Sequence, residues 1–215
     1  MRNNTIIIGI AGPSASGKSL LANTIVRELG SDRVVIITED SYYKDRSDIP
    51  FEERVCINYD HPESFDHDLF IRHLGMLQNG ETINVPVYDF GQHVRSKEVR
   101  EIGQNTIIVL EGILLFVEPK LREMMDIRIF MDTALDICLL RRLQRDIVER
   151  DRSIDSVLQQ YIETVRPMYL QFIEPSKRYA DIIVPRGGEN RIAIEMIKAK
   201  MRELLSNEPG VLHDR

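Results

Sequence analysis

Eight residues near the N-terminus, Gly12-Pro13-Ser14-Ala15-Ser16-Gly17-Lys18-Ser19, constrain this chain more than any other stretch. A β-branched run from Thr5 to Ala11 precedes them, and Leu21, Ile25, Val26 and Leu29 recur with helical spacing after them. The loop therefore joins a strand to a helix. Glycines let backbone N–H groups close on phosphate oxygens, and the helix N-terminus adds partial positive charge to the same anion. Lys18 is spaced to reach the β- and γ-phosphates of a nucleoside triphosphate, and Ser19 to offer a hydroxyl to Mg²⁺. An ordinary glycine-rich turn would explain Gly12 and Gly17 but not Lys18 and Ser19 at these offsets.

Further β-branched runs occupy Val34 to Thr38, Ile83 to Val87, Ile107 to Leu110, Ile127 to Met131 and Ile182 to Val184. Most are short, apolar throughout and separated by helical patterns, which predicts central strands of a parallel sheet buried on both faces by helices. Residues 81–101 are the exception. The Asn79-Gly80 turn, the central Pro86 and the mixed polarity predict a hairpin or lid on the substrate side. Ala134 to Asp151 reads as an arginine-dense helix. Ser153 to Tyr179 reads as a second long helix, carrying Val157, Tyr161, Val165, Tyr169 and Phe172 and interrupted near Pro167 and Pro175. A last helix covers about Arg191 to Leu205, and the tail after Ser206 reads as frayed.

The 215 residues, 43% hydrophobic and 29% charged, suit a single α/β domain spanning 1–215. A net charge of −6 with both signs interleaved argues against a nucleic-acid partner, which would need a clustered basic excess. Cys56 and Cys138 are too few for a disulfide framework and lack metal-site spacing, so a reducing compartment fits. The apolar run Thr5 to Ile10 is too short to span a membrane, and the expected location is the cytoplasm.

A phosphate loop names the donor class, not the acceptor. No Asn-Lys-x-Asp segment of the kind that reads guanine occurs, which weakens a switch-protein reading. Asp40 follows the run Val35 to Ile37, and Glu111 follows Ile107 to Leu110, so both stand at carboxyl ends of strands, where ligands of open α/β sheets bind. One such carboxylate suits an acceptor hydroxyl and the other the Mg²⁺ shell. Taken alone, each also reads as a turn or helix cap.

The chain resembles the uridine kinase (uridine-cytidine kinase) family in order from Ile7 to about Leu205. The carriers are Gly12 to Ser19, Glu39-Asp-Ser-Tyr-Tyr-Lys-Asp45, Asn58-Tyr-Asp-His-Pro62 with Phe65 and Asp66, and Val85-Pro-Val-Tyr-Asp-Phe90. Further along they are Leu110-Glu-Gly112, Arg141-Arg-Leu-Gln-Arg-Asp146, Glu149-Arg-Asp-Arg152 and Tyr179 to Gly187. The resemblance implies a P-loop kinase fold: a central, mostly parallel five-stranded sheet flanked by helices, the 81–101 hairpin on the substrate side, and an arginine-bearing lid near 141–160. It implies transfer of the γ-phosphate of ATP or GTP, with Mg²⁺, to the 5′-hydroxyl of uridine or cytidine in pyrimidine salvage, and assembly as a homotetramer.

By that resemblance Asp40 takes or orients the proton of the 5′-hydroxyl, and Lys18 and Arg145 act on the phosphates. Asp60 reads the ribose hydroxyls, with Arg152 and Gln160 closing over the sugar. Tyr43, Tyr59 and Tyr88 flank the base and His93 reads its edge, although by composition alone these could be core or loop residues. Arg142, Arg145, Arg150 and Arg152 match the lid, whose guanidiniums would spread transition-state charge and exclude water. Arg141 is assigned instead to a solvated helix face paired with Asp146 and Glu149. Two residues depart from the family pattern. Asp151 stands where glycine is usual, and Glu39 replaces a commonly neutral residue but, as a strand neighbour of Asp40, should point away. The rival readings are another small-molecule kinase, acting on ribulose 5-phosphate or pantothenate, and a nucleotide-dependent switch.

Overall fold

A computed structural model describes residues 5–29 and 34–206; the tail after Ser206 lies outside the described residues. Five strands form one parallel sheet: β1 (Ile6–Ala11), β2 (Val34–Thr38), β5 (Ile107–Glu111), β6 (Ile127–Asp132) and β7 (Ile182–Pro185), in the order β2-β5-β1-β6-β7. β1 lies in the middle, registered Ile8 to Val109 on one side and Ile10 to Ile129 on the other. Its six residues are apolar or glycine because both faces are covered, as parallel strands require.

One face packs under α1 (Lys18–Leu29) and α9 (Arg191–Ser206), burying Ile8, Ile10, Leu21, Ile25, Val184, Ile197 and Met201. The other face is richer in aromatics and buries Tyr42, Phe70, Phe116 and Phe130 beneath α3 (His67–Gln78) and α4 (Pro119–Met124). A four-residue helix, α2 (Phe51–Arg54), precedes α3. Asp66 caps α3 by accepting from the Leu69 amide at 3.0 Å.

β3 (Ile83–Asp89) and β4 (Val94–Ile102) form a separate antiparallel hairpin with a register shift between Pro86 and Tyr88. Its turn is not Asn79-Gly80. Those residues close α3, with Gly80 at φ 81°, while the hairpin turns at Phe90 to His93 around Asp89, whose Oδ1 accepts from the Gly91 and Gln92 amides. Asn-Gly serves a helix C-terminus and a hairpin equally well, since both need a left-handed residue.

α5 (Leu135–Val148) leads through residues 149–153 to a long helical rod. The prolines do not interrupt that rod. α6 (Ile154–Gln160), α7 (Arg166–Met168) and α8 (Glu174–Ser176) are joined by π-helical turns at Tyr161–Val165 and Tyr169–Ile173. Each π turn lies just before a proline. The proline ring would clash with the carbonyl four residues back, and widening that turn removes the clash. The Arg166 amide thus reaches back to the Tyr161 carbonyl, and the Glu174 amide to that of Tyr169.

Candidate active site

β1 runs into Gly12 at φ 142°, where an added Cβ would stand 2.6 Å from the Met131 carbonyl oxygen. Ala15 at φ 63° and Gly17 at φ 97° complete the wrap of the loop. Two features behind the loop hold it. The buried Thr133 hydroxyl donates to the Ser16 carbonyl at 3.1 Å, and Gly187 fits so closely that a Cβ there would lie 2.0 Å from the same oxygen.

Lys18 is 6% exposed, and its ammonium donates to the Pro13 carbonyl at 2.9 Å while lying 4.0 Å from Glu111 Oε1. Desolvation lowers its pKa, opposed by the charges of Glu111 and Asp40. The Ser19 hydroxyl donates to Glu111 Oε2 at 3.1 Å. These oxygens suit a hard cation bound largely through phosphates and water, as Mg²⁺ is in phosphoryl-transfer sites. Among the described residues no cluster of three or more His, Cys, Asp or Glu side chains could form an all-protein cage.

Asp40 sits in a 3₁₀ turn, Glu39–Tyr42, that begins where β2 ends. Desolvation, then the charges of Glu111 and Glu39, push its pKa up to about 7 despite Lys18. The site thus carries an excess of negative potential that a cation would relieve. Glu39 does not point away into solvent. Strand alternation stops at Thr38, and the Glu39 side chain turns fully inward, accepting from the Leu114 amide at 2.8 Å and bonding His67 Nε2 at 2.9 Å. Burial pulls the His67 pKa down, but the hydrogen bond and charge of Glu39 outweigh it and leave the ring above its ordinary value.

Beyond Asp40 lies an aromatic cluster. Tyr43 stacks on Phe65 at 4.3 Å and approaches Tyr88 at 5.1 Å and Tyr59 at 5.4 Å, while Tyr59 stacks on His93 at 4.8 Å. Arg95 of β4 ties the hairpin to this cluster by donating Nε to the Tyr43 carbonyl at 2.8 Å and pairing with Asp66 at 3.2 Å. Asp60 stands in the Asn58 to His61 turn, its amide donating to Asn58 Oδ1 at 3.1 Å. Burial raises its pKa, countered by the charge of Arg142.

Arg142, Arg145, Arg150 and Arg152 converge on one carboxylate, Asp146. Gln160 Oε1 accepts from Arg142 at 3.0 Å and from Arg152 at 2.6 Å. Arg141 is elsewhere: five residues from Asp146 it faces another side of the helix, and it pairs with Glu189 instead. Asp151 adopts φ 50°, the left-handed region glycine favours.

The Phosphoribulokinase / Uridine kinase family model matches residues 7–193. The chain belongs to this family. Within it, the uridine kinases of Aeromonas hydrophila, Vibrio cholerae and Pectobacterium atrosepticum are 57%, 56% and 58% identical to this chain. These alignments cover 95%, 95% and 92% of this chain and 97%, 98% and 95% of theirs. Similar folds occur in the D-glycerate 3-kinase of Cryptococcus neoformans (TM-score 0.63, 18% identity, covering 85% of this chain and 86% of that one) and in the phosphoribulokinase of Rhodobacter spheroides (TM-score 0.62, 15% identity, 85% and 70%). The central parallel sheet flanked by helices is thus the P-loop kinase fold.

In this family member the site residues named from sequence fall in the phosphate loop, at or just after the ends of β2 and β5, in the segment from Tyr43 to Asp60, on the hairpin, and on the segment from α5 to α6. Four contributors were missed: Glu39 as a buried anchor, Thr133 and Gly187 behind the phosphate loop, and Asp146 among the arginines. Glu39, Asp146 and Gly187 all lie inside the motifs quoted from sequence, but the motifs gave none of them this role; Thr133 lies outside every motif.

Proposed function

We propose that this protein is a uridine kinase that transfers the γ-phosphate of ATP or GTP to the 5′-hydroxyl of uridine or cytidine, giving UMP or CMP. The observation that carries this reading is the position of Asp40, just after β2 and three residues before Tyr43, within reach of the charges of Lys18, Glu111 and Asp60. Asp40 also acts electrostatically on the Tyr43 phenol, whose pKa is raised by burial first. A carboxylate between a triphosphate loop and an aromatic pocket is placed to accept a hydroxyl proton during in-line transfer. The high identity to relatives named uridine kinase supports the same acceptor.

In this reading Gly12 to Ser19 bind the triphosphate, and Arg142 and Arg145 complete that site, with Lys18 and Arg145 acting on transition-state charge. Tyr43, Tyr59, Tyr88 and His93 enclose a pyrimidine. Asp60 accepts from the ribose hydroxyls, with Arg142, Arg150, Arg152 and Gln160 around the sugar and phosphate. Ser19 and Glu111 hold Mg²⁺, which when bound neutralises phosphate charge. The enzyme belongs to pyrimidine salvage in the cytoplasm, works as a single domain with the 81–101 hairpin on the substrate side and a lid at about 141–160, and assembles as a homotetramer. Among the described residues no helix is long and apolar enough to cross a membrane, and the rod exposes Ile154, Ile162 and Leu170, an apolar surface that a second subunit would cover.

Asp40→Asn tests the acceptor chemistry directly. A kinase loses uridine turnover by orders of magnitude while Mg-ATP binding stays within a few-fold. Unchanged turnover in the variant would remove Asp40 from the reaction.

A further inference from the structure

The side chain of Asp146 is fully buried and is shared among four guanidiniums. Its Oδ1 accepts from Arg145 Nε at 2.9 Å, has Arg145 Nη2 also at 2.9 Å, and lies 3.4 Å from Arg150 Nη1. Its Oδ2 stands 3.6 Å from Arg142 Nε and 3.5 Å from Arg152 Nη1. Both Asp146 Oδ2 and Arg142 Nε lack a hydrogen bond among the described residues. The carboxylate thus gathers four guanidiniums while engaging only one of them closely. Arg142 Nη2 and Arg152 Nη1 both donate to Gln160 Oε1, and Arg152 Nη2 donates to the Ser156 hydroxyl at 2.8 Å, so the remaining contacts of these two arginines are to neutral acceptors rather than to a second carboxylate.

We infer that Asp146 is a positioning residue for phosphoryl transfer, which holds Arg142, Arg145, Arg150 and Arg152 together in the absence of phosphate and leaves most of their donors free for it. The inference rests on the reading of these arginines as the phosphate clamp. Four cations within a few ångströms of each other repel, so without a central anion they would disperse into solvent and would have to be ordered anew at each turnover. Bidentate pairing to separate carboxylates would order them too, but at the cost of the N–H groups that phosphate oxygens need. One shared carboxylate, held closely by Arg145 and at 3.4–3.6 Å by the other three, achieves the first while leaving those three largely unspent. Its location adds a second constraint. Asp146 is on α5 and the Arg152 amide donates to the Asp146 carbonyl at 3.1 Å, so the same residue ties the segment after α5 back to the helix.

Two variants separate this role from charge neutralisation alone. Asp146→Asn keeps the shape and removes the charge, whereas Asp146→Glu keeps the charge and moves the acceptor by about one methylene. Steady-state kinetics with uridine and Mg-ATP, together with the midpoint of thermal unfolding, should be measured for both and for the parent. A displaced clamp lowers kcat by roughly tenfold to a hundredfold in Asp146→Glu, with the KM for Mg-ATP within a few-fold of the parent and the fold intact. Asp146→Asn, where it folds, shows at least the same loss of kcat. Parent-like kcat in Asp146→Glu would overturn the proposal, because any buried anion would then suffice. A parent that phosphorylates no nucleoside would instead refute the acceptor assignment, and the same comparison read on ATP hydrolysis would still decide the role of Asp146.

Discussion

Asp40 lies among charges of its own sign, and this sets a measurable property of the ligand-free protein. Desolvation is the largest cause of its raised pKa, followed by Glu111 and Glu39, and the group titrates at about 7 rather than at the ordinary value of about 4. The direction follows from the chemistry: only the carboxylate accepts a hydroxyl proton, so the base is lost as pH falls through about 7. A carbon-13 carboxyl titration of the nucleotide-free protein should show this ionisation, absent in Asp40→Asn; an ordinary carboxylate pKa for Asp40 would contradict the account. Close packing gives a second prediction. Gly187 has φ 58° and no room for a methyl group beside the Ser16 carbonyl oxygen. Gly187→Ala must therefore displace the phosphate loop, and isothermal titration should show Mg-ATP affinity reduced at least tenfold. Gly75 in α3, with open space around it, serves as the control. Gly75→Ala should leave binding intact and raise stability by up to about 1 kcal/mol, the helix propensity difference.

Elements were legible in sequence where one local pattern decides the structure, and obscure where the decision is made at a distance. The phosphate loop, with strand before and helix after, is such a local pattern. The strand runs at Ile107 and Ile127 are of the same kind, because an inner strand covered on both faces has no polar alternation to confuse, and the edge runs at Val34 and Ile182 stay apolar although Ile182 and Ile183 are exposed. The π turns were not legible. Proline chemistry says that a regular helix must break, whereas here one widened turn before each proline carries the helix through, with Val165 and Ile173 buried within those turns. Asp146 was obscure for a related reason: spacing suggests surface pairs along one helix, whereas Arg150 and Arg152 come from the turn beyond it. The segment after α5 supplies the prediction for this scale. Asp151 holds φ 50°, which costs roughly 1–2 kcal/mol for an L-residue and more for a β-branched one. Asp151→Val should lower the stability read from urea unfolding by at least about 1 kcal/mol. Asp151→Gly should stay within about 1 kcal/mol of the parent, because relief of strain is offset by the greater freedom of the unfolded chain. Equal stabilities for Val and Gly would mean that this turn is not strained.

In the proposed reading, topology brings the donor and acceptor residues together at the scale of the whole molecule. Strand order β2-β5-β1-β6-β7 puts the phosphate loop after the central strand and the carboxylates Asp40 and Glu111 after the two strands on one side of it. The hairpin, tied by Arg95 to the Tyr43 segment, brings Tyr88 and His93 to the same face from outside the sheet. Such an arrangement favours a planar base over an aliphatic acceptor, and a ribose over a deoxyribose if Asp60 reads the 2′-hydroxyl. The central claim is therefore tested most directly by the identity of the accepted substrate. Purified protein with Mg-ATP should be offered uridine, cytidine, deoxyuridine, thymidine, adenosine, ribulose 5-phosphate and pantothenate in turn, with the phosphorylated product identified by mass. The account predicts UMP and CMP from the two pyrimidine ribonucleosides and little or no product from the others; turnover of ribulose 5-phosphate or pantothenate alone, or of no acceptor at all, would contradict it.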